Sequence, residues 1–247
     1  MGPAADTAPD PLARVRALIE AESTSAPAPA PGETRARLHL LCTALERAVP
    51  ADGAGMTIAV TGDPALVLAA SGSVAEQLEE LQITLGEGPC VDAVRSRRPV
   101  LEPDLAGAGA LRWPGYAAEA TALGVGAVFA FPLQSGAVCL GGLDVYRQRP
   151  GSLSRSGTGD ALAFAEVAFD IVLDDGSPSH GSPAEGDPEQ LIASGVLYQA
   201  QGMLMVQLDV SLAEAMVRIR AHAYAQDRRL GAVARDIVDG ILLLSKG

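Results

Sequence analysis

The chain has 247 residues, enough for two domains and a sizeable core, with 48% hydrophobic and 19% charged residues. Its formal net charge of −12 rests entirely on residues 1–187, which hold 12 Arg against 24 Asp and Glu, while residues 188–247 are neutral. This balance excludes unspecific attraction of the front part to nucleic acid and means that any such binding by the rear part needs a local patch.

From the N-terminus, residues 1–33 read as a flexible segment rich in Pro and Ala, with a short helix over 12–22 and a semi-extended stretch, SAPAPAPGE, at 25–33. Leu38, Leu41, Leu45 and Val49 recur at gaps of three and four and predict a helix over 34–49. Residues 55–62 and 65–71 predict two strands joined as a hairpin across Gly62, Asp63 and Pro64, and a helix follows over 73–81. In LGEGPCVDAVRSRRPVLEPDL, Pro89 opens a short helix reaching about Ser96, and the proline-bounded 99–103 predicts an edge strand. A helix over 113–123, two strands at 126–133 and 136–146, and a helix over 159–175 complete this part. Leu162, Ala163, Phe164, Val167 and Ile171 are expected inside, and Cys139 is expected in the core. Strands joined mostly as hairpins imply an antiparallel sheet with helices on it, an α+β domain over 34–175.

Residues 176–187 read as a linker of Gly, Ser and Pro, and everything after them as helical. A first helix over 189–208 places Ala193, Val196, Leu197, Ala200, Met203, Leu204 and Leu208 on one apolar face. Its opposite stripe carries Gly195, Gln199, Gly202 and Val206, a surface on which another backbone could come close. Ser211 and Glu214 form a capping box at the start of a second helix, with Leu212, Ala215, Met216, Ile219 and Ala223 facing inward. A third helix begins near Arg228 and presents Leu230, Val233, Ala234, Ile237, Ile241 and Leu244. Three amphipathic helices in so short a span share one small core over 188–247, which docking or dimerisation would stabilise.

The segment LYQAQGMLMVQLDVSLAEAMVRIRAHAYAQDRRLGAVARDIV, residues 197–238, resembles an ANTAR domain, the RNA-binding antitermination module of bacterial regulators. The matching positions are Ala200, Gly202, Leu204 and Met205, then Ser211, Glu214 and Ala215, then Ile219 and Arg220, and finally Arg229, Leu230, Val233 and Ala234. LGEGPCVDAV with PVLEPDL, GVGAVFAFPL and GGLDVY resembles the GAF domain that precedes ANTAR in many actinobacterial regulators. The resemblance implies a GAF sensor followed by a small all-α three-helix ANTAR domain, acting as a homodimer. It further implies binding to RNA hairpins in nascent leader transcripts, so that a terminator does not form. Recognition of unstacked loop bases and phosphates by arginine makes Gln201, Arg220, Arg228 and Arg229 the candidate RNA-binding residues, with Arg218 and Arg235 beside them. Gln201 stands where relatives carry Lys, and Asp227 where they carry Asn; both changes weaken attraction to phosphate.

Cys90 follows a Gly-Glu-Gly-Pro turn at a helix start, where a thiolate is favoured; it is a candidate sensor thiol or a structural one. The GAF resemblance allows a small-molecule ligand, which the sequence does not name; no cofactor is identified. Three dispersed cysteines (Cys42, Cys90, Cys139) and three dispersed histidines (His39, His180, His222) show no metal-ligand spacing and fit a reduced, cytoplasmic setting. No signal peptide and no run of 18 apolar residues is found, so no membrane span is expected. No Walker A, GxSxG, HExxH or post-strand GxGxxG motif occurs, so no catalytic residue is assigned. The alternative is a non-enzymatic interaction or dimerisation module in which RNA binding is weak or lost.

Overall fold

The computed structural model describes residues 10–23, 34–60, 63–175 and 188–245, and at 60, 63, 64, 175 and 188–195 the backbone only. Both segments read as linkers, the Gly62 turn, His180 and Lys246 lie outside the described residues, as do the side-chain surroundings of Ala193 and Gly195.

Helices α1 (Pro11–Ser23) and α2 (Thr34–Ala48) lead into strands β1 (Gly53–Val60) and β2 (Asp63–Ala70), then α3 (Ser73–Leu85) and α4 (Pro89–Ser96). β3 (Val100–Glu102) follows, then a π-turn at Leu105–Gly109, the short α5 (Ala110–Arg112), and α6 (Pro114–Ala122). β4 (Ala127–Ser135), β5 (Val138–Arg147) and α7 (Arg155–Asp175) close the first unit. The strands form one sheet in the order β2-β1-β5-β4-β3, every pair antiparallel. Pro132 is tolerated because β3 pairs only with Val128, Phe129 and Ala130, so the missing N–H falls on an open edge.

Alternation along the strands divides the interior into two layers. In β4, Ala127, Phe129 and Phe131 face α2 and α7, packing against Leu38, Leu41, Leu45 and Phe164. Val128 and Ala130 face the other way, onto Leu78, Ala93, Trp113 and Tyr116 from α3, α4, the α6 entry and α6. Helix α1 is part of the first layer: Val15 is buried there, and Arg14 and Arg16 pair with Asp160 and Asp170 of α7. This part of the N-terminal segment is therefore a docked helix. Leu162, expected inside, faces solvent on α7, and Cys139 is only half-buried because it lies near the hairpin end of β5.

The second unit has the expected three helices, α8 (Pro188–Leu208), α9 (Leu212–Ala225) and α10 (Leu230–Val238). Its core is Leu197, Ala200, Leu204 and Leu208 from α8, Ala215, Ile219 and Ala223 from α9, and Leu230, Val233, Ala234 and Ile237 from α10. The completely buried alanines at 200, 215, 223 and 234 let the helices approach closely. Met203, Leu212 and Ile241 were expected inside and are exposed. Leu212 begins α9 outside the three-helix contact, and α10 ends at Val238, so Ile241 lies beyond it. The Ser211 hydroxyl accepts from the Glu214 N–H at 3.1 Å, but the Glu214 carboxylate turns to Arg218 at 2.9 Å, leaving half of the capping box.

Val67 of β2 and Ile83 of α3 belong to this same core. The helical unit thus docks on the outer side of α3 and β2. No described helix is long and apolar enough to cross a membrane.

Candidate functional site

Two sites meet on α3, one beneath it and one above it. Beneath it, β1 and β5 pair with Thr57 opposite Gly142 and Gly55 opposite Asp144. On the face toward α3 and α4, each polar side chain therefore has a bare backbone as its cross-strand neighbour. Glu79 of α3 lies over Gly55 and Cys90 of α4 lies over Gly142; a Cβ on either glycine would run into the side chain above it. The result is a buried polar cluster of Thr57, Glu79, Gln82, Cys90 and Asp144.

Gln82 organises the cluster. Its Oε1 accepts the Cys90 N–H at 2.7 Å, which fixes the amide orientation and leaves Nε2 to donate to Asp144 Oδ2. Thr57 Oγ1 lies 3.3 Å from Cys90 Sγ. The Glu79 and Asp144 carboxyls lie within 4.8 Å of each other, which favours a proton on one of the two. Burial first, then the charge of Asp144, pushes Glu79 well above the usual carboxylate range. Burial raises Asp144 as well, opposed in part by the hydrogen bond from Gln82. Glu79 Oε2, Asp144 Oδ1 and the Tyr116 hydroxyl are buried without a hydrogen-bond partner.

This environment corrects the reading of Cys90 as a favoured thiolate. Its sulfur is completely buried among carboxyls, and burial, then the charges of Asp144 and Glu79, push the thiol well above its ordinary value. The first turn of an eight-residue helix does not offset that.

Above α3, Gly86 closes the helix in a left-handed conformation with φ 68°, and the Arg220 guanidinium lies against it where a side chain would stand. Arg229 pairs with Glu76 at 3.0 Å and Glu80 at 3.1 Å, both on α3. Burial raises Glu80 and the Arg229 charge opposes that shift. Arg228 pairs with Asp236 of α10 at 2.7 Å, and the Tyr224 hydroxyl donates to Glu119 of α6 at 3.0 Å. Arg228 and Arg229 line one open cleft with Glu76, Glu80 and Glu119.

Of the four residues assigned to RNA, the structure brings Arg228 and Arg229 together in one cleft, whereas Arg220 of α9 lies outside it, against Gly86 at the C-terminal end of α3. Gln201 stands apart. Its Nε2 donates to the Leu212 carbonyl at 2.8 Å and ties α8 to the start of α9. Arg218 is held by Glu214 and the Ser245 carbonyl. Asp227 has φ 49°, a left-handed turn in which Asn and Asp are the best-tolerated residues with a side chain. The sequence reading missed Glu76 and Glu80, whose spacing marked only an amphipathic helix, and the gathering of Glu79, Cys90 and Asp144, which are far apart in the chain. The one available signal was Asp144, a lone acid in the apolar strand LGGLDVY.

A comparison with curated proteins finds no significant match. Among solved structures the chain is similar to the GAF domain of a phosphoenolpyruvate-protein phosphotransferase from Coxiella burnetii. That match has a TM-score of 0.50 and 19% identity, and covers 66% of this chain and 93% of that one. The corresponding Acinetobacter GAF domain gives a TM-score of 0.50 at 11% identity, covering 69% of this chain and 97% of that one. Both likenesses bear on the fold alone. Family models match at two places, the ANTAR domain at residues 189–238 and the GAF domain at residues 33–172. The GAF match spans more than half of the chain, and the protein belongs to the GAF domain family, carrying an ANTAR domain as its C-terminal helical unit.

Proposed function

We propose that this protein is a cytoplasmic, non-enzymatic regulator whose ANTAR domain binds hairpins in nascent transcripts and promotes antitermination as a homodimer, under control of its GAF domain. The domain pair supports a regulator. The observation that carries the reading of its control is the pairing of Arg229 with Glu76 and Glu80. Phosphate and the GAF carboxylates compete for the same guanidinium, so contact of RNA with Arg229 requires this side chain to leave Glu76 and Glu80. An exposed ion pair contributes only about 0.2–1 kcal/mol, which makes the hold on this one side chain weak enough to be exchanged for RNA while Val67 and Ile83 keep the helical unit docked. Arg228, Arg229 and Arg220 are the contacts proposed for RNA; Gln201 positions α9 and contributes no charge.

The reading as an interaction module draws on a different face. A Cβ at Gly202 would meet nothing within 4 Å, and Val206 beside it is 76% exposed, so this stripe of α8 is open to a second copy.

Titration of the purified protein with leader RNA carrying tandem hairpins, at two salt concentrations, separates the readings. Specific binding is expected, and Arg228→Ala/Arg229→Ala is expected to lower the log–log salt slope by about 1.4–1.8 as two phosphate contacts vanish. Absence of specific binding, or a double variant equal to the parent, contradicts the RNA reading.

A further inference from the structure

The polar cluster beneath α3 has the makings of a ligand site that its sequence spacing conceals. One carboxylate oxygen of Glu79, one of Asp144 and Sγ of Cys90 lie within 4.8 Å of one another, all buried, on three different elements. Their acceptor capacity is not used up inside the protein: Glu79 Oε2 and Asp144 Oδ1 have no hydrogen-bond partner. An independent group points to the same place. The Tyr116 hydroxyl of α6 is completely buried and has no partner. After burial itself, the charges acting on it are those of Asp144, Glu79 and Cys90. Buried polar atoms are almost always satisfied, so two unpartnered carboxyl oxygens beside one thiol, with a third unpartnered oxygen in the same packing layer, are donor atoms open to a cation.

We propose that Glu79, Cys90 and Asp144 form a three-ligand site for a divalent cation of the zinc class. A thiolate in the set selects against magnesium and calcium, and two carboxylates with one sulfur suit a borderline ion. Bonds of about 2.0–2.3 Å require the ligand atoms to close in by roughly an ångström. Surrounding groups are arranged to hold the ligands. Gln82 spans from the Cys90 N–H to Asp144, and Thr57 reaches the sulfur, as outer partners of a metal do. Binding exchanges the thiol proton and the one proton held by the two carboxyls for one dication, so the net charge of the pocket is unchanged. The site stands whether or not the protein binds RNA.

The full-length protein, stripped with a chelator, is titrated with Zn²⁺ and with Co²⁺, using Mg²⁺ as the control. Expected results are 1:1 binding of Zn²⁺ and Co²⁺, a thiolate-to-cobalt charge-transfer band, release of protons into weak buffer, and a higher Tm with Zn²⁺. Cys90→Ser is expected to remove the band. Glu79→Gln is expected to weaken Zn²⁺ at least about tenfold, on the scale of metal-site substitutions, while the metal-free variant melts no lower than the parent because a buried acid has become a neutral amide. No stoichiometric Zn²⁺ binding, or binding equal to the parent in both variants, overturns the site.

Discussion

Gly142 shows how little space the buried cluster has. A methyl group there would strike the Cys90 sulfur, which is itself enclosed by α4 and the sheet. Gly142→Ala is expected to lower stability by about 1–3 kcal/mol, the usual effect of overpacking, measured by urea denaturation of the full chain. Gly202 is the opposite case. Its surroundings are open, and alanine is the better helix former by about 1 kcal/mol. Gly202→Ala is expected to raise the denaturation midpoint or leave it unchanged; a loss of stability would show that the glycine is needed for packing within the protomer. The two glycines look alike in the sequence, since a glycine's neighbours come from other elements. Cys90 was legible for the same reason only in part: its helix start was visible, but the carboxyls that raise its pKa arrive from α3 and β5.

Among the elements, α3 is the one that connects the sites. Glu79 points into the sheet, whereas Glu76 and Glu80, four residues apart and so on one side of the helix, pair with Arg229 of the ANTAR unit. Ile83, one turn further on, joins the ANTAR core. Ile83→Ala is expected to cost about 2–5 kcal/mol by cavity formation, seen as a lower transition midpoint. Ser211→Ala removes the cap of α9 and is expected to cost about 1 kcal/mol, seen in the same measurement. Helices, strands and the inner faces of the three C-terminal helices were legible because period and caps are local. Met203, Leu212 and Leu162 were misplaced because a helical wheel gives an apolar face without saying how much of it a neighbour covers. The docking of α1 was not legible at all, since its short apolar pattern does not name α7 as its partner.

At the scale of the whole molecule, the division of charge acquires a structural meaning. The acidic front part places Glu76 and Glu80 against an arginine of the neutral rear part, so the two units meet through charges that RNA would also seek. From the sequence the front acidity argued only against unspecific RNA attraction; which helix carried it to the arginines was fixed by long-range packing. Screening weakens such exposed pairs as salt rises, but it weakens phosphate contacts too, so salt alone does not separate release from binding. Neutralising the carboxylates does. The most direct test is the RNA affinity of Glu76→Gln/Glu80→Gln against the parent, with Asp209→Asn/Asp239→Asn as an equal change of charge outside the arginine cleft. Competition by α3 predicts several-fold tighter binding in the first pair, from roughly 0.2–1 kcal/mol per released contact, and a smaller change in the control pair. Equal effects in both pairs, or no gain in the first, would contradict it.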